Sequence, residues 1–379
     1  MPRIKKKPMS DEILYMMALT CALPYQSQVQ RQLLEEAGSA KALYEHRHEL
    51  RDMMPEVNER LAAIVAGLDS HMGRAEEEVA FAEKNHIRIV GLHDADFPAR
   101  LNECLDAPIL LYYRGSADMN CRHTLSIVGT RKATQYGCDF CQHLLADLKR
   151  MCPDTLVVSG LAYGIDIQAH RRALENGMPT IGVLAHGLDQ IYPPMHRQTA
   201  IEMLEQGGLL TEYMSRSIPE KLNFVSRNRI VAGMTDATLV VESAQKGGSL
   251  ITARIAGEYG RDVFAVPGRI GDAASAGCNL LIRDNRAALV QSAEELVKAM
   301  GWATVQKEKQ PVQGELFPEL SADETAVFRA LKGCDGKHLN QLAVDTDIPI
   351  GRLTSLLFDM EMRGLIRSMS GGTYRLLTF

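Results

Sequence analysis

The sequence predicts an α/β protein: a parallel sheet covered by helices on both faces, preceded by a small all-α module and followed by a compact helical piece that ends in a hairpin. Three patterns predict it. Apolar residues recur at helical spacing before residue 73, short Val/Ile/Leu runs alternate with helical stretches over 124–300, and three helical segments lead into two short strands after 321.

Taken in order, residues 10–73 carry helical spacing at 13–23, 29–34, 42–44 and 61–64, which predicts several short helices joined by tight turns. Residues 74–123 form a transitional segment that joins the core sheet, with a helix at 75–84 and strand candidates at 87–90 and 109–113. In the core, 124–300, strand candidates fall at 125–128, 156–158, 180–184, 208–211, 237–241 and 262–266, each followed by a Gly-containing turn and a helical stretch. Short continuous apolar runs of this kind belong to strands buried on both faces. Residues 301–320 are polar, contain proline and lack periodicity, the pattern of a linker. Residues 321–379 read as helices near 323–331, 339–346 and 350–362, then 365–367, Gly371-Gly372 and 374–377. Three helices followed by a hairpin is the winged-helix order.

Composition narrows the function classes. The chain has 379 residues, 46% hydrophobic and 23% charged, as in soluble proteins of two or three domains. No apolar stretch is long enough to span a bilayer. Lys5-Lys6-Lys7 precedes the apolar run 13–23, but Asp11 and Glu12 interrupt it and no small-x-small site follows, so a cytoplasmic protein with no membrane partner is expected. Eight irregularly spaced cysteines fit reduced thiols. Cys138 and Cys141 stand three apart in a helical stretch with no second pair, and read as packed thiols rather than zinc ligands. There is no GxxxxGK[ST], no GxGxxG after the first core strand, no GxSxG and no HExxH, so no cofactor and no metal are expected. His186, near Asp189, has no nameable nucleophile or base beside it and reads as structural.

The net charge of −5 disfavours a polyanion partner unless the cations are clustered, and residues 126–300 balance 18 Lys+Arg against 18 Asp+Glu. Clusters do occur at strand ends. Gly129-Thr130-Arg131 closes the first core strand, Ser159-Gly160 the second, and Lys246-Gly247-Gly248-Ser249 the fifth. Each offers free backbone amides at a helix start, a natural anion seat. One such turn alone reads as a tight turn, but three that converge on one edge of the sheet make a row that suits a chain of phosphates. Arg227-Asn228-Arg229 reads equally well as part of that row or as a helix start with ion-paired arginines. The last domain is slightly acidic, with 7 Lys+Arg against 8 Asp+Glu over 319–379, and its third helix offers base edges only Arg352, Thr354 and Ser355, so an interaction module is expected there.

At these loops the sequence closely resembles the DprA/Smf family, the DNA-processing proteins of natural transformation. The matching residues run in order: Val128-Gly129-Thr130-Arg131, Ser159-Gly160 through Ile165-Asp166, Gly187-Leu188-Asp189 through Tyr192-Pro193, Thr211-Glu212-Tyr213, Phe224 with Arg227-Asn228-Arg229-Ile230, Glu242-Ser243 through Thr252-Ala253, Val266-Pro267-Gly268 and Gly277-Cys278-Asn279. The resemblance implies an extended Rossmann-like core between a SAM-like helical module and a winged-helix domain. It also implies binding of single-stranded DNA, a homodimer, loading of RecA recombinase, and no catalysis. Arg131 and Lys246 match the family's phosphate contacts; Gly129, Thr130, Ser159, Gly160, Arg227, Asn228, Arg229, Gly247, Gly248 and Ser249 match other parts of the groove. Two departures stand out. Val225 replaces a proline common in relatives, which implies a less rigid loop, and Ala22-Leu23-Pro24-Tyr25 replaces a Gly-x-Gly turn, which turns the first module toward protein contacts. The alternative is a nucleotide-processing enzyme of the phosphoribohydrolase type. Its catalytic Glu falls on Arg254 when the two are aligned at Gly247-Gly248, and an arginine is no general base.

Overall fold

The computed structural model describes residues 11–302, 320–332, 334, 336–363, 365–369 and 372–376. Lys5-Lys6-Lys7, most of the linker reading (303–319) and Gly371 and Leu377 of the hairpin reading lie outside them. The described residues fall into two compact units, one ending at Trp302 and the other beginning at Leu320.

The first unit opens with the helices Asp11–Ala22, Ser27–Ala37, Ala40–Glu45, Leu50–Met53, Glu59–Ala66 and Asp69–Lys84. Their starts and stops follow local chemistry. Ser39 and Asn58 cap two of them by accepting from the amides of Ala42 and Leu61, and Gly38 ends another in the left-handed region at φ 79°. These helices have no core of their own. Met17, Leu33, Leu43 and Val65 bury into the same cluster as Leu110, Val158, Ile181 and Val240 of the sheet.

The sheet is built from β1 (Arg88–Gly91), β2 (Leu110–Gly115), β3 (Thr124–Val128), β4 (Leu156–Ser159), β5 (Thr180–Val183), β6 (Gly208–Thr211), β7 (Ala237–Val240), β8 (Asp262–Ala265) and β9 (Ala288–Leu289), in the order β1-β2-β6-β5-β4-β3-β7-β8-β9. All pairings from β6 to β9 are parallel. β2 joins β6 antiparallel and β1 joins β2 antiparallel, so the transitional segment extends the sheet's edge. Every residue of β3 through β7 is buried, the physical origin of the continuous apolar runs. Alternation assigns the faces. Leu125, Ile127, Val157 and Leu239 bury beneath the helices Gln135–Met151, Ile165–Glu175 and Ala293–Ala299, whereas Val158, Ile181 and Val240 bury on the opposite face. Cys141 is wholly buried under the first of these helices, and burial pushes its thiol up to about 12.

The chain steps from β3 through β6 in one direction, then crosses back along the helix Lys221–Gly233 to set β7 on the other side of β3. Strand order therefore reverses at β3, and the loops leaving β3 and β7 part to open a crevice beyond their carboxyl ends.

The second unit has helices Ala322–Leu331, Leu339–Thr346 and Ile350–Met362 with strands β10 (Lys337–His338), β11 (Ile366–Met369) and β12 (Thr373–Leu376), ordered β10-β12-β11. Val327, Leu342, Leu353, Leu357 and Ile366 form its core, and a Ser321/Glu324 capping box starts the first helix. This is a winged helix. Among the described residues no helix is long and apolar enough to cross a membrane.

Candidate functional site

The loops after β3, β4 and β7 and the crossover helix Lys221–Gly233 enclose a groove of about 580 Å³ at the switch point. Gly129, Thr130, Arg131, Gly160, Arg227, Asn228, Gly247, Gly248 and Ser249 all line it. Nine residues spread over 121 positions are thus brought together by the sheet order and the crossover helix.

Close packing dictates the glycines. A Cβ on Gly129 would lie 2.5 Å from Ile165 Cγ1 and 2.9 Å from the Glu242 carbonyl. Without it, the Thr130 amide donates to the Glu242 carbonyl at 2.7 Å and the Ile165 amide donates to the Thr130 carbonyl at 3.1 Å. These two bonds pin the β3 loop between its neighbours. A Cβ on Gly247 would lie 2.2 Å from Ser243 Oγ, to which the Ser249 hydroxyl donates at 2.9 Å. The helix Ser249–Glu258 starts here without a side-chain cap, and among the described residues the Gly248 and Ser249 amides find no acceptor. Unsatisfied amides at a helix start attract anions.

The charges are arranged in two levels. Arg227 is buried on the floor: its Nη1 donates to the Val183 carbonyl at 2.8 Å, and a Cβ on Gly160 would lie only 1.7 Å from that nitrogen. Asp166 sits beside it and accepts from the Gly160 amide at 3.1 Å; burial raises its carboxyl while Arg227 opposes the rise. Arg131, exposed at the mouth, holds its guanidinium 5.6 Å from the centre of the Phe224 ring. Lys246 is exposed on the lip rather than in the wall. Among the described residues no carboxylate lies within ion-pair reach of Arg131 or Lys246.

Two residues of the sequence reading turn elsewhere. Ser159 is wholly buried and its hydroxyl donates to the Ile127 carbonyl at 2.6 Å, so it ties β4 to β3 beneath the groove. Arg229 pairs with Glu212, donates to Ser27 Oγ at 3.1 Å and to the Asp106 carbonyl at 2.6 Å, which joins the crossover helix to the N-terminal helices. Two helical residues apart means about 200° of rotation, so Arg227 and Arg229 face opposite ways. Val225 also corrects an expectation: it lies within the helix Lys221–Gly233, not in a loop, so helical hydrogen bonding keeps the segment rigid without a proline ring.

The wall holds residues the sequence reading left out of the site: Lys221, Phe224, Val225 and Thr252. Lys221, Phe224 and Asn228 recur three and four apart, and that one-face spacing on the crossover helix was the available signal. His186 is buried with both ring nitrogens engaged, Nδ1 to the Gly187 carbonyl at 2.8 Å and Nε2 accepting from the Tyr192 amide at 3.2 Å; burial lowers its pKa. It holds the β5 loop.

A family model described as DNA recombination-mediator protein A matches residues 88–301, and one described as DprA winged helix domain matches 314–372. A putative DNA processing protein DprA of Mycobacterium tuberculosis is 33% identical over 320 residues, 80% of this chain and 81% of that protein. DNA processing protein DprA of Streptococcus pneumoniae is 39% identical over 204 residues, 54% of this chain and 71% of that one. The X-ray structure of the pneumococcal protein covers 75% of this chain and 97% of its own at 31% identity and TM-score 0.65. DNA processing protein A of Helicobacter pylori, described for its single-stranded DNA binding mode, covers 57% and 96% at 28% identity and TM-score 0.51.

Proposed function

The chain belongs to the DprA/Smf family of DNA recombination mediators, and from that premise we propose that its switch-point groove grips single-stranded DNA during natural transformation and recombination. The observation that carries this reading is the pair of unpaired cations, Arg131 and Lys246, beside the free Gly248 and Ser249 amides. A phosphate chain satisfies both kinds of group at once, whereas the bases carry no charge to match. Gly129, Thr130, Gly160, Asn228 and Gly247 shape the seat, and Arg227 supplies positive potential from the floor. Ser159 and Arg229 act in this reading by holding the elements that form it.

The protein protects incoming strands and loads the RecA recombinase onto them, works as a homodimer in the cytoplasm, and performs no chemistry itself. Against the phosphoribohydrolase alternative, Arg254 takes the position of the catalytic Glu and pairs with Glu258 at 2.6 Å, one turn along its helix. The winged helix serves as an interaction module. Arg352 pairs with Asp323 at 2.5 Å, and the Thr354 and Ser355 hydroxyls donate to the Ile350 and Gly351 carbonyls, so the side chains that could read bases are already engaged.

Anisotropy titrations with single- and double-stranded oligonucleotides of one sequence test the reading, with a base-release assay on mononucleotides alongside. Preference for the single strand is expected. Equal duplex affinity, or efficient release of a base, overturns it.

A further inference from the structure

Beside the groove stand aromatic rings that the proposed phosphate contacts leave unused. Phe224, in the wall, lies 5.8 Å from the ring of Tyr192 on the loop after β5. Tyr163, on the loop after β4 and next to the wall residue Ala162, meets the His196 ring edge-on at 5.2 Å. Tyr163 is 40% exposed and Tyr192 43%. Among the described residues neither hydroxyl has a hydrogen-bond partner.

Single exposed rings are common, but these two stand on backbone that is held in place. The Tyr192 amide donates to His186 Nε2, and His196, four residues on, keeps its Nδ1 at 2.8 Å from the Leu161 carbonyl. Next to Tyr163, Gly164 adopts φ 76°, where a Cβ would lie 2.0 Å from the Thr130 carbonyl. A partly exposed ring on a fixed loop loses little freedom when a flat partner covers it. The β4 and β5 loops leave strands one and two positions from β3, about 5 and 10 Å from the switch point at the usual strand spacing. That span corresponds to roughly one to three stacked nucleotides at about 3.4 Å each.

We propose that Tyr163 and Tyr192 are base-stacking platforms that receive the single strand as it leaves the phosphate groove toward β5. The site then holds nucleobases on that side and phosphates at the switch point, with little preference among bases because every base has a flat face. This inference rests on the reading that the groove holds single-stranded DNA.

The test uses the full chain and three fluorescent oligothymidines of equal length: one intact, one abasic in its 5′ half and one abasic in its 3′ half. Phosphate count is identical in all three. Wild type is expected to bind one abasic strand on the order of tenfold or more weakly than the intact strand. The Tyr163→Ala/Tyr192→Ala variant loses that discrimination while its salt dependence stays at the wild-type slope. The Tyr163→Phe/Tyr192→Phe variant, which keeps the rings, retains both. An alanine variant that still discriminates by the wild-type factor overturns the proposal, as does a phenylalanine variant that does not discriminate. In either case the reading of the groove stands if Arg131→Ala still lowers the salt slope. Wild-type protein that binds no oligonucleotide overturns both.

Discussion

In the proposed reading, removing Arg131 and Lys246 together separates phosphate gripping from every other role of the groove. Both side chains are exposed, and among the described residues neither has a carboxylate partner, so the Arg131→Ala/Lys246→Ala variant leaves no buried charge uncompensated. Its stability is expected to stay within about 0.5 kcal/mol of wild type. Each phosphate contact on a single strand contributes about 0.7 to the slope of log affinity against log salt, so two contacts contribute about 1.4. Between 50 and 200 mM salt, a fourfold change, that difference is worth about sevenfold. The wild-type advantage over the variant should therefore shrink about sevenfold across that range. Anisotropy titrations at four or five salt concentrations, with urea melts of both proteins, measure the two quantities. Parallel salt lines for variant and wild type would refute the assignment, and a large loss of stability would show that the two cations hold the fold instead.

Other substitutions divide the site by mechanism. Gly160→Ala drives a methyl group into the Arg227 guanidinium, breaking its bond to the Val183 carbonyl and moving the cation away from buried Asp166. A loss of about 2–4 kcal/mol in urea melts is expected, together with weaker strand binding. Arg229→Ala removes the cation that opposes the upward push of burial on the Glu212 carboxyl. It should cost about 3–5 kcal/mol of stability while the surviving folded protein keeps the wild-type salt slope; a lowered slope would put Arg229 in contact with the strand. Stability should also fall with acid through His170, wholly buried with its pKa lowered to about 3 by burial. The unfolded chain takes up that proton near 6.5, so below 6.5 it holds more protons than the folded one, and stability declines by at most about 1.4 kcal/mol per pH unit from 6.5 down to 3. His170→Asn should flatten this dependence, and an unchanged slope in pH-resolved melts would exclude His170 as its source.

The strands of the core were legible because a strand buried on both faces is mostly apolar, with its few polar side chains hydrogen-bonded inside the sheet: β3, β4, β6 and β7 fall within a residue of the runs that predicted them. β9, two exposed edge residues, carries no such pattern and went unread. The glycine turns were legible for a related reason, since backbones that approach as closely as Gly129 and Gly247 do to their neighbours exclude any side chain. Periodicity and turn chemistry are properties of adjacent residues, and they determined the α/β alternation, the winged-helix order and the loops that form the groove.

What each polar side chain does in those loops was decided only by the tertiary structure. Arg227 and Arg229 are the same residue type two positions apart. One floors the groove while the other binds Glu212 and Ser27, because helical rotation turns them toward different neighbours, and Ser27 lies 202 residues away in the chain. Ser159 looked like Ser249 in its Gly-flanked turn, yet its hydroxyl is spent on the Ile127 carbonyl of the next strand. The entry of Lys221 and Phe224 into the wall likewise needed the crossover that returns the chain to β3. A sequence specifies which groups can donate, accept or carry charge; which partner each one meets depends on contacts between distant segments, and those exist only once the sheet has set its strand order.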